Sequence, residues 1–180
     1  MLSHIKNSTA GRKAWEMHVD SLFRVTIIPP AGVTGSELLT EQCRSCTGWK
    51  QPGPENVAQK FMQASRNFAS TDSDNTQEIE MAFELNLNDT FQNYVYNTIS
   101  EWRSKVFNPL TGERGLKKDY IGTVIVESFA ADGTIYWTRT LHNVWPKGDQ
   151  SSLGQNDYDS ADPVKLTQAF VADWYDEVKY

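Results

Sequence analysis

A row of carboxylates, a pair of thiols and a lone imidazole are the side chains in this sequence that could do chemistry. Glu78 and Glu80 alternate with apolar residues, and Glu84 continues the row. On an extended strand Glu78 and Glu80 point the same way about 7 Å apart, a spacing that superficially suits paired-carboxylate hydrolysis. Three such carboxylates on one strand, with no pocket signature around them, describe a face better than an active site. Cys43 and Cys46 form Cys-Arg-Ser-Cys, a spacing shared by half a zinc site and by thiol redox motifs. A structural zinc site needs two further ligands, yet His4, His18 and His142 are scattered singly and no second cysteine pair exists. A redox motif opens a helix in a βαβ unit, whereas here the pair closes a strand-like run at 38–44. Two reduced thiols in a cytosolic product are therefore expected. His142, on a predicted strand facing away from Leu141, has no Ser or Cys nucleophile in a recognisable motif and reads as a surface or interface histidine. The glycines of Gly112-Glu113-Arg114-Gly115 follow a helix instead of linking a strand to one, and no Gly-Lys-Ser/Thr occurs, so no phosphate loop is present. The expectation is no catalytic residue, no metal and no cofactor. A small hydrolase or thiol enzyme built on the carboxylates or on Cys43 and Cys46 is the alternative from another class.

The element that carries the carboxylates is the clearest in the chain. Ile79, Met81, Phe83, Leu85 and Leu87 alternate with Glu78, Glu80, Ala82, Glu84 and Asn86, which predicts a strand with one greasy and one acidic face. From Asn67 to Trp102 there is no Lys, Arg or His, so the carboxylates have no basic neighbour in sequence. Either a solvated outer sheet face or a negatively charged wall that repels polyanions receives them.

Around this strand, residues 22–28 alternate before Pro29-Pro30 stops the ladder, and 38–44 reads as a second strand returning against the first in a hairpin. Residues 57–68 fit either a helix or an extended segment. Phe91, Val95, Ile99, Trp102 and Val106 recur at intervals of three and four after Asp89, predicting one helix over about 89–107 that ends before Asn108-Pro109. Strands at 120–129 and 134–145 flank Ala131-Asp132-Gly133, a tight-hairpin signal, and Pro146 ends the second. The last predicted strand is 164–174. Strands, one helix and strands again, without regular alternation, mean mainly antiparallel β: a barrel or sandwich of about six or seven strands with one flanking helix.

The 180 residues fit one domain, with 1–20 as an N-terminal extension and 21–180 as the body. A formal net charge of −6 argues against a nucleic-acid-binding surface of the usual kind, which clusters Lys and Arg. No stretch is long and apolar enough to span a bilayer, and the polar start of the chain has no greasy signal core, so a soluble compartment is expected. Six Trp and a mean hydropathy of −0.54 suggest a polar surface studded with large side chains suited to subunit contacts. Asp72, Asp74, Glu78, Glu80, Glu84 and Asp89 form an acidic block. Arg103, Lys105, Arg114, Lys117 and Lys118 form a basic one, and opposite signs on separate loops suit head-to-tail association.

The order of several short segments resembles the tail tube proteins of contractile-tailed bacteriophages. They are Ser21-Leu22-Phe23-Arg24-Val25-Thr26-Ile27, Glu41-Gln42-Cys43-Arg44-Ser45 and Lys60-Phe61-Met62 ahead of the acidic strand. Glu101-Trp102, Asn143-Val144-Trp145-Pro146, Asp157-Tyr158-Asp159-Ser160 and Trp174-Tyr175 then follow the helix. The resemblance implies a β-barrel-like subunit with one helix, homohexameric rings stacked into a hollow tube, and DNA passing through without specific binding. It implies a tail sheath outside, baseplate and tail terminator proteins at the ends, and a virion location after assembly in the bacterial host cytoplasm. Inner tubes of type VI secretion and related protein-injecting machines share the fold. The resemblance also makes 57–68 extended, part of a long hairpin reaching a neighbouring subunit. In such a ring Glu78, Glu80 and Glu84 would line the lumen and repel phosphates over roughly a Debye length of 8 to 10 Å. The acidic and basic loops, with Asp72 and Asp74 facing Arg103, Lys105, Arg114, Lys117 and Lys118, would meet between subunits or rings.

Overall fold

The computed structural model describes residues 22–51, 53–62, 64–70, 75–85, 95–148 and 164–180. The described chain is mainly antiparallel β. It comprises β1 (Phe23–Ile28), α1 (Ser36–Gln42), β2 (Cys43–Thr47), β3 (Asn56–Phe61), β4 (Ala64–Ala69), β5 (Gln77–Glu84), α2 (Val95–Val106), α3 (Lys117–Tyr120), β6 (Gly122–Phe129), β7 (Ile135–Lys147), β8 (Lys165–Ala172) and β9 (Trp174–Lys179). Seven strands join in the order β1-β6-β7-β8-β5-β2, with β9 also on β7, while β3 and β4 pair only with each other. The sheet is not a closed barrel: β1 and β2 remain its terminal strands.

One long strand makes this sheet bend. The first part of β7 pairs with β6 on one side and with β9 on the other, from Trp137↔Lys179 to His142↔Trp174. Its last part pairs with β8, from Trp145↔Val171 to Lys147↔Ala169. Between the two lies Asn143 at φ 56, a left-handed conformation that Asn tolerates better than most side chains. The partner strand breaks at the same level, at Asp173. Asn143 donates to the Asp173 carboxylate at 2.9 Å, Lys117 Nζ donates to the same carboxylate at 2.6 Å, and the Asp173 N–H donates to the His142 carbonyl at 3.2 Å. Burial pushes the Asp173 carboxyl up, but the Lys117 and Asn143 hydrogen bonds outweigh it and hold the group below its ordinary value.

The core draws on the strands of the sheet and on α1 and α2. Ile79, Met81 and Phe83 of β5, Leu166 and Phe170 of β8, Leu141 of β7 and Val124 of β6 are all at 0% exposure. The helical stripe supplies Val95, Ile99 and Trp102, and α1 supplies Leu39. Trp102 stands 5.5 Å from the Phe170 ring and donates its indole N–H to the Tyr120 carbonyl at 2.7 Å, so its polar tip is satisfied where its body is dry.

Several boundaries differ from the sequence reading. Residues 36–42 are helical: Ser-Glu-Leu-Leu-Thr-Glu-Gln holds good helix formers with adjacent leucines that cannot alternate, and α1 buries Leu39. The expected hairpin between the first two strands is therefore absent, since β1 pairs with β6 and β2 with β5. Cys43 opens β2 instead of closing a strand. Described helices number three, not one, and α2 begins at Val95 because 86–94 lie outside the described residues. Pro146 stays within β7, opposite Phe170, and β9 follows the strand that was expected to end the chain. Residues 57–68 are extended: β3 and β4 form a hairpin turning at Met62. The Asp132-Gly133 turn is as expected, with Gly133 at φ 85 and Asp132 Oδ1 accepting from the Thr134 N–H and hydroxyl. Among the described residues no helix is long and apolar enough to cross a membrane.

Candidate assembly and lumen surfaces

Strict alternation places the β5 carboxylates where the sequence put them. Gln77, Ile79, Met81 and Phe83 are buried, whereas Glu78 and Glu80 are exposed and Glu84 is half-buried. The same face carries Val171, Ala169, Thr167 and Lys165 of β8, directly opposite Glu78, Glu80, Ala82 and Glu84. Thr47 of β2 lies opposite Glu80 on the other side.

Tertiary structure supplies the cations that the local sequence lacks. Lys147, from the end of β7, bonds Glu78 at 2.7 Å. Arg44, from β2, bonds Glu84 at 2.7 Å, and Lys165 stands opposite Glu84 in register. The Lys147 hydrogen bond and charge hold the Glu78 carboxyl below its ordinary value. Glu80 has no ion pair among the described residues. The face is thus a row of paired charges with one unpaired carboxylate at its centre, flatter electrostatically than the sequence suggested. These pairs are exposed and screened by solvent, so they add little to stability.

The basic block divides by role. Arg103 donates to the Gly148 carbonyl at 2.7 Å and Lys105 to the Ala31 carbonyl at 2.7 Å, so both are tied to backbone while keeping their charge. Lys117 is engaged with Asp173. Arg114 and Lys118 are exposed and have no ion pair among the described residues. Asp72, Asp74 and Asp89 lie outside the described residues.

Cys43 and Cys46 both face inward at the mouth of the fold, beside a bulge in the β2–β5 ladder. Burial pushes the Cys43 thiol up to about 11 and the Cys46 thiol up to about 12, the opposite of an activated nucleophile. Among the described residues no three His, Cys, Asp or Glu converge as metal ligands. His142 lies half-buried in the first part of β7, stacked on Trp174 with ring centroids 3.9 Å apart and Nε2 3.1 Å from Asp176.

Sequence reasoning missed the arginine clamp beside the cysteines. Arg139 lies 3.6 Å over the Trp137 ring and 5.1 Å from the Trp49 ring, and pairs with Glu177 at 3.1 Å. It bridges β7 to the segment after β2, across the open side of the sheet where no strand pairing exists. The high tryptophan content was its only signal.

The hairpin is the opposite of the sheet. Every described side chain of β3 and β4 is exposed, including Val57 and Phe68.

No protein-family model matches the chain, and no curated protein matches its sequence. Solved structures do match it. A chain of the extended sheath–tube complex of an extracellular contractile injection system, PVC, superposes with a TM-score of 0.62 at 13% identity, over 97% of this chain and 99% of that one. A chain of the anti-feeding prophage tube-terminating cap gives 0.61 at 11% identity over 92% and 93%. One from the anti-feeding prophage baseplate gives 0.59 at 10% over 92% and 97%. The chain has a tail tube protein fold. Identities this low carry the fold alone, and the tube fold here consists of the bent sheet, the packed α2 and the free-standing hairpin.

Proposed function

We propose that this chain is a structural, non-catalytic tube subunit of a contractile injection system, closing into homohexameric rings that stack into a hollow conduit. The observation that carries the reading is the near end-to-end superposition on a chain of the sheath–tube complex, covering 97% of one and 99% of the other. The hairpin adds to it. An isolated two-stranded hairpin is marginal in water, so β3–β4, exposed on all its described side chains, is suited to pack on a neighbouring copy. A sheath surrounds the tube, and baseplate and terminator proteins hold its ends.

In this assembly the β5–β8 face is the lumen wall, with Glu78, Glu80 and Glu84 toward the bore. Glu80 provides most of its repulsion, because Glu78 and Glu84 are paired. Asp72, Asp74, Arg103, Lys105, Arg114, Lys117 and Lys118 serve contacts between subunits or rings. One version of the function is a phage tail in which DNA slides through without sticking. A second, protein delivery by an injection particle, is favoured by the PVC and anti-feeding prophage likenesses and by the muted charge of the wall.

Negative-stain microscopy of the purified chain tests the assembly: rings or filaments are expected, and a persistent monomer at high concentration overturns the reading. Glu80→Lys with Glu84→Lys should leave tubes intact and slow cargo release. Unchanged release would remove the lumen assignment.

A further inference from the structure

Two surface features outside the hairpin and the β5 face combine exposed apolar side chains with charges that have no described ion pair. The first is the loop at 107–118, after α2. It is rigidly built: the Gly112 N–H donates to the Asn108 carbonyl at 2.8 Å, Asn108 N–H to Glu113 at 3.0 Å and Gly115 N–H to Val106 at 3.2 Å, and Phe107 bridges Arg114. A Cβ on Gly115 would fall 1.9 Å from the Lys105 carbonyl oxygen, so the loop closes on the helix where only glycine fits. This fixed scaffold holds Leu110 at 95%, Leu116 at 63% and Phe107 at 51% exposure. Three exposed apolar side chains within ten residues of one ordered loop suit an interaction surface. Beside them stand Arg114 and Lys118, without described ion pairs; the nearby acids are Glu113, which accepts from the Thr111 hydroxyl, and Asp119.

The second feature is a groove of about 400 Å³ between β1 and α1. Thr26, Ile27 and Ile28 form its floor, with Ile28 50% exposed, and Glu37 and Glu41 stand one helical turn apart along its rim. Both glutamates are exposed and have no ion pair among the described residues.

Each feature is an apolar centre flanked by unpaired charge, and the signs are opposite. Copies of a chain with net charge −6 repel one another overall, so their association needs local patches of opposite sign. We propose that the 107–118 loop of one copy docks in the β1–α1 groove of a second copy, with Leu110 covering Ile28 and Arg114 and Lys118 meeting Glu37 and Glu41. This rests on the tube reading and names the surfaces that join its subunits. The contact uses a different patch on each side, so a joined pair still leaves one loop and one groove open, and the association propagates into a ring or a stack.

Charge exchange tests it, with sedimentation velocity and negative-stain microscopy on the full chain. Arg114→Glu with Lys118→Glu, and separately Glu37→Lys with Glu41→Lys, should each weaken association by at least about tenfold. Mixing the two variants should restore it, because each reversed loop then meets a reversed groove. Leu110→Ser, whose side chain touches almost nothing within the chain, should also weaken association about tenfold while melting like the wild type, and it decides the question should a charge variant fail to fold. A wild type that assembles beside variants that assemble equally well, or a mixture that does not recover, overturns this contact and leaves the tube reading standing. A wild type that stays monomeric overturns both.

Discussion

The strands β5 and β4 are neighbours in sequence and opposites in environment. Along β5 burial alternates residue by residue, and Ile79, Met81 and Phe83 are sealed at 0% exposure in the core cluster that also holds Leu39 of α1 and Phe170 of β8. Along β4 all six residues are exposed, Phe68 among them. Each is paired along its length with an antiparallel neighbour, β5 with β8 and β4 with β3, so the presence of a ladder does not by itself separate them. What separates them is a covering layer, since β5 buries one side in a core completed by α1 and α2 while β3–β4 has only its own pair. A strand without a covering layer gains little from its side chains within the chain, and apolar residues retained there are explained by something outside it.

Substitutions at three places break or sharpen that contrast. The largest effect belongs to the covered side: Trp102→Ala removes the Phe170 contact and the bond to Tyr120, and should cost about 3–5 kcal/mol in chemical denaturation. The hinge comes next. Asn143→Val forces a β-branched residue into the left-handed region and drops the bond to Asp173, for a loss of about 1–3 kcal/mol, whereas Asn143→Gly keeps the backbone and should recover most of it. At the same corner the Asp173 carboxyl is held below its ordinary 3.8. A depressed folded pKa adds stability above the unfolded value that is lost as pH falls through the folded one. Asp173→Asn should therefore lower stability at neutral pH and flatten the acid limb of the profile, so that its difference from the wild type shrinks as pH falls below about 4. The smallest effect belongs to the uncovered side: Val57→Ser with Phe68→Ser should shift monomer stability by only about 0.5 kcal/mol, yet reduce assembly in a sedimentation assay. A large loss of monomer stability would mean that the hairpin is packed within its own chain.

The strongest periodicities were legible from sequence because they follow the geometry of a single element. Ile79 to Phe83 alternated and proved to be a half-buried strand; Val95, Ile99 and Trp102 recurred at helical spacing and proved to be the buried stripe of α2. The Asp132-Gly133 turn was legible for the same reason, since a positive φ is a local demand. The strand expected at 38–44 is instead largely helix because adjacent leucines fit neither period over so short a stretch, and packing against β1 and α2 adds to what its helix formers favour. The candidate lumen face was half legible: the row of glutamates could be read directly, but their ion-pair partners Arg44 and Lys147 stand 40 and 69 residues away.

Sequence alone therefore determined which residues are apolar, which strand carries the carboxylates and where the chain turns, because propensity and periodicity act over a few neighbours. Tertiary structure decided strand partnership, the bend at Asn143, the neutralisation of Glu78 and Glu84, and the isolation of β3–β4. Those depend on contacts between segments far apart in the chain, which carry no local signature until the fold brings them together.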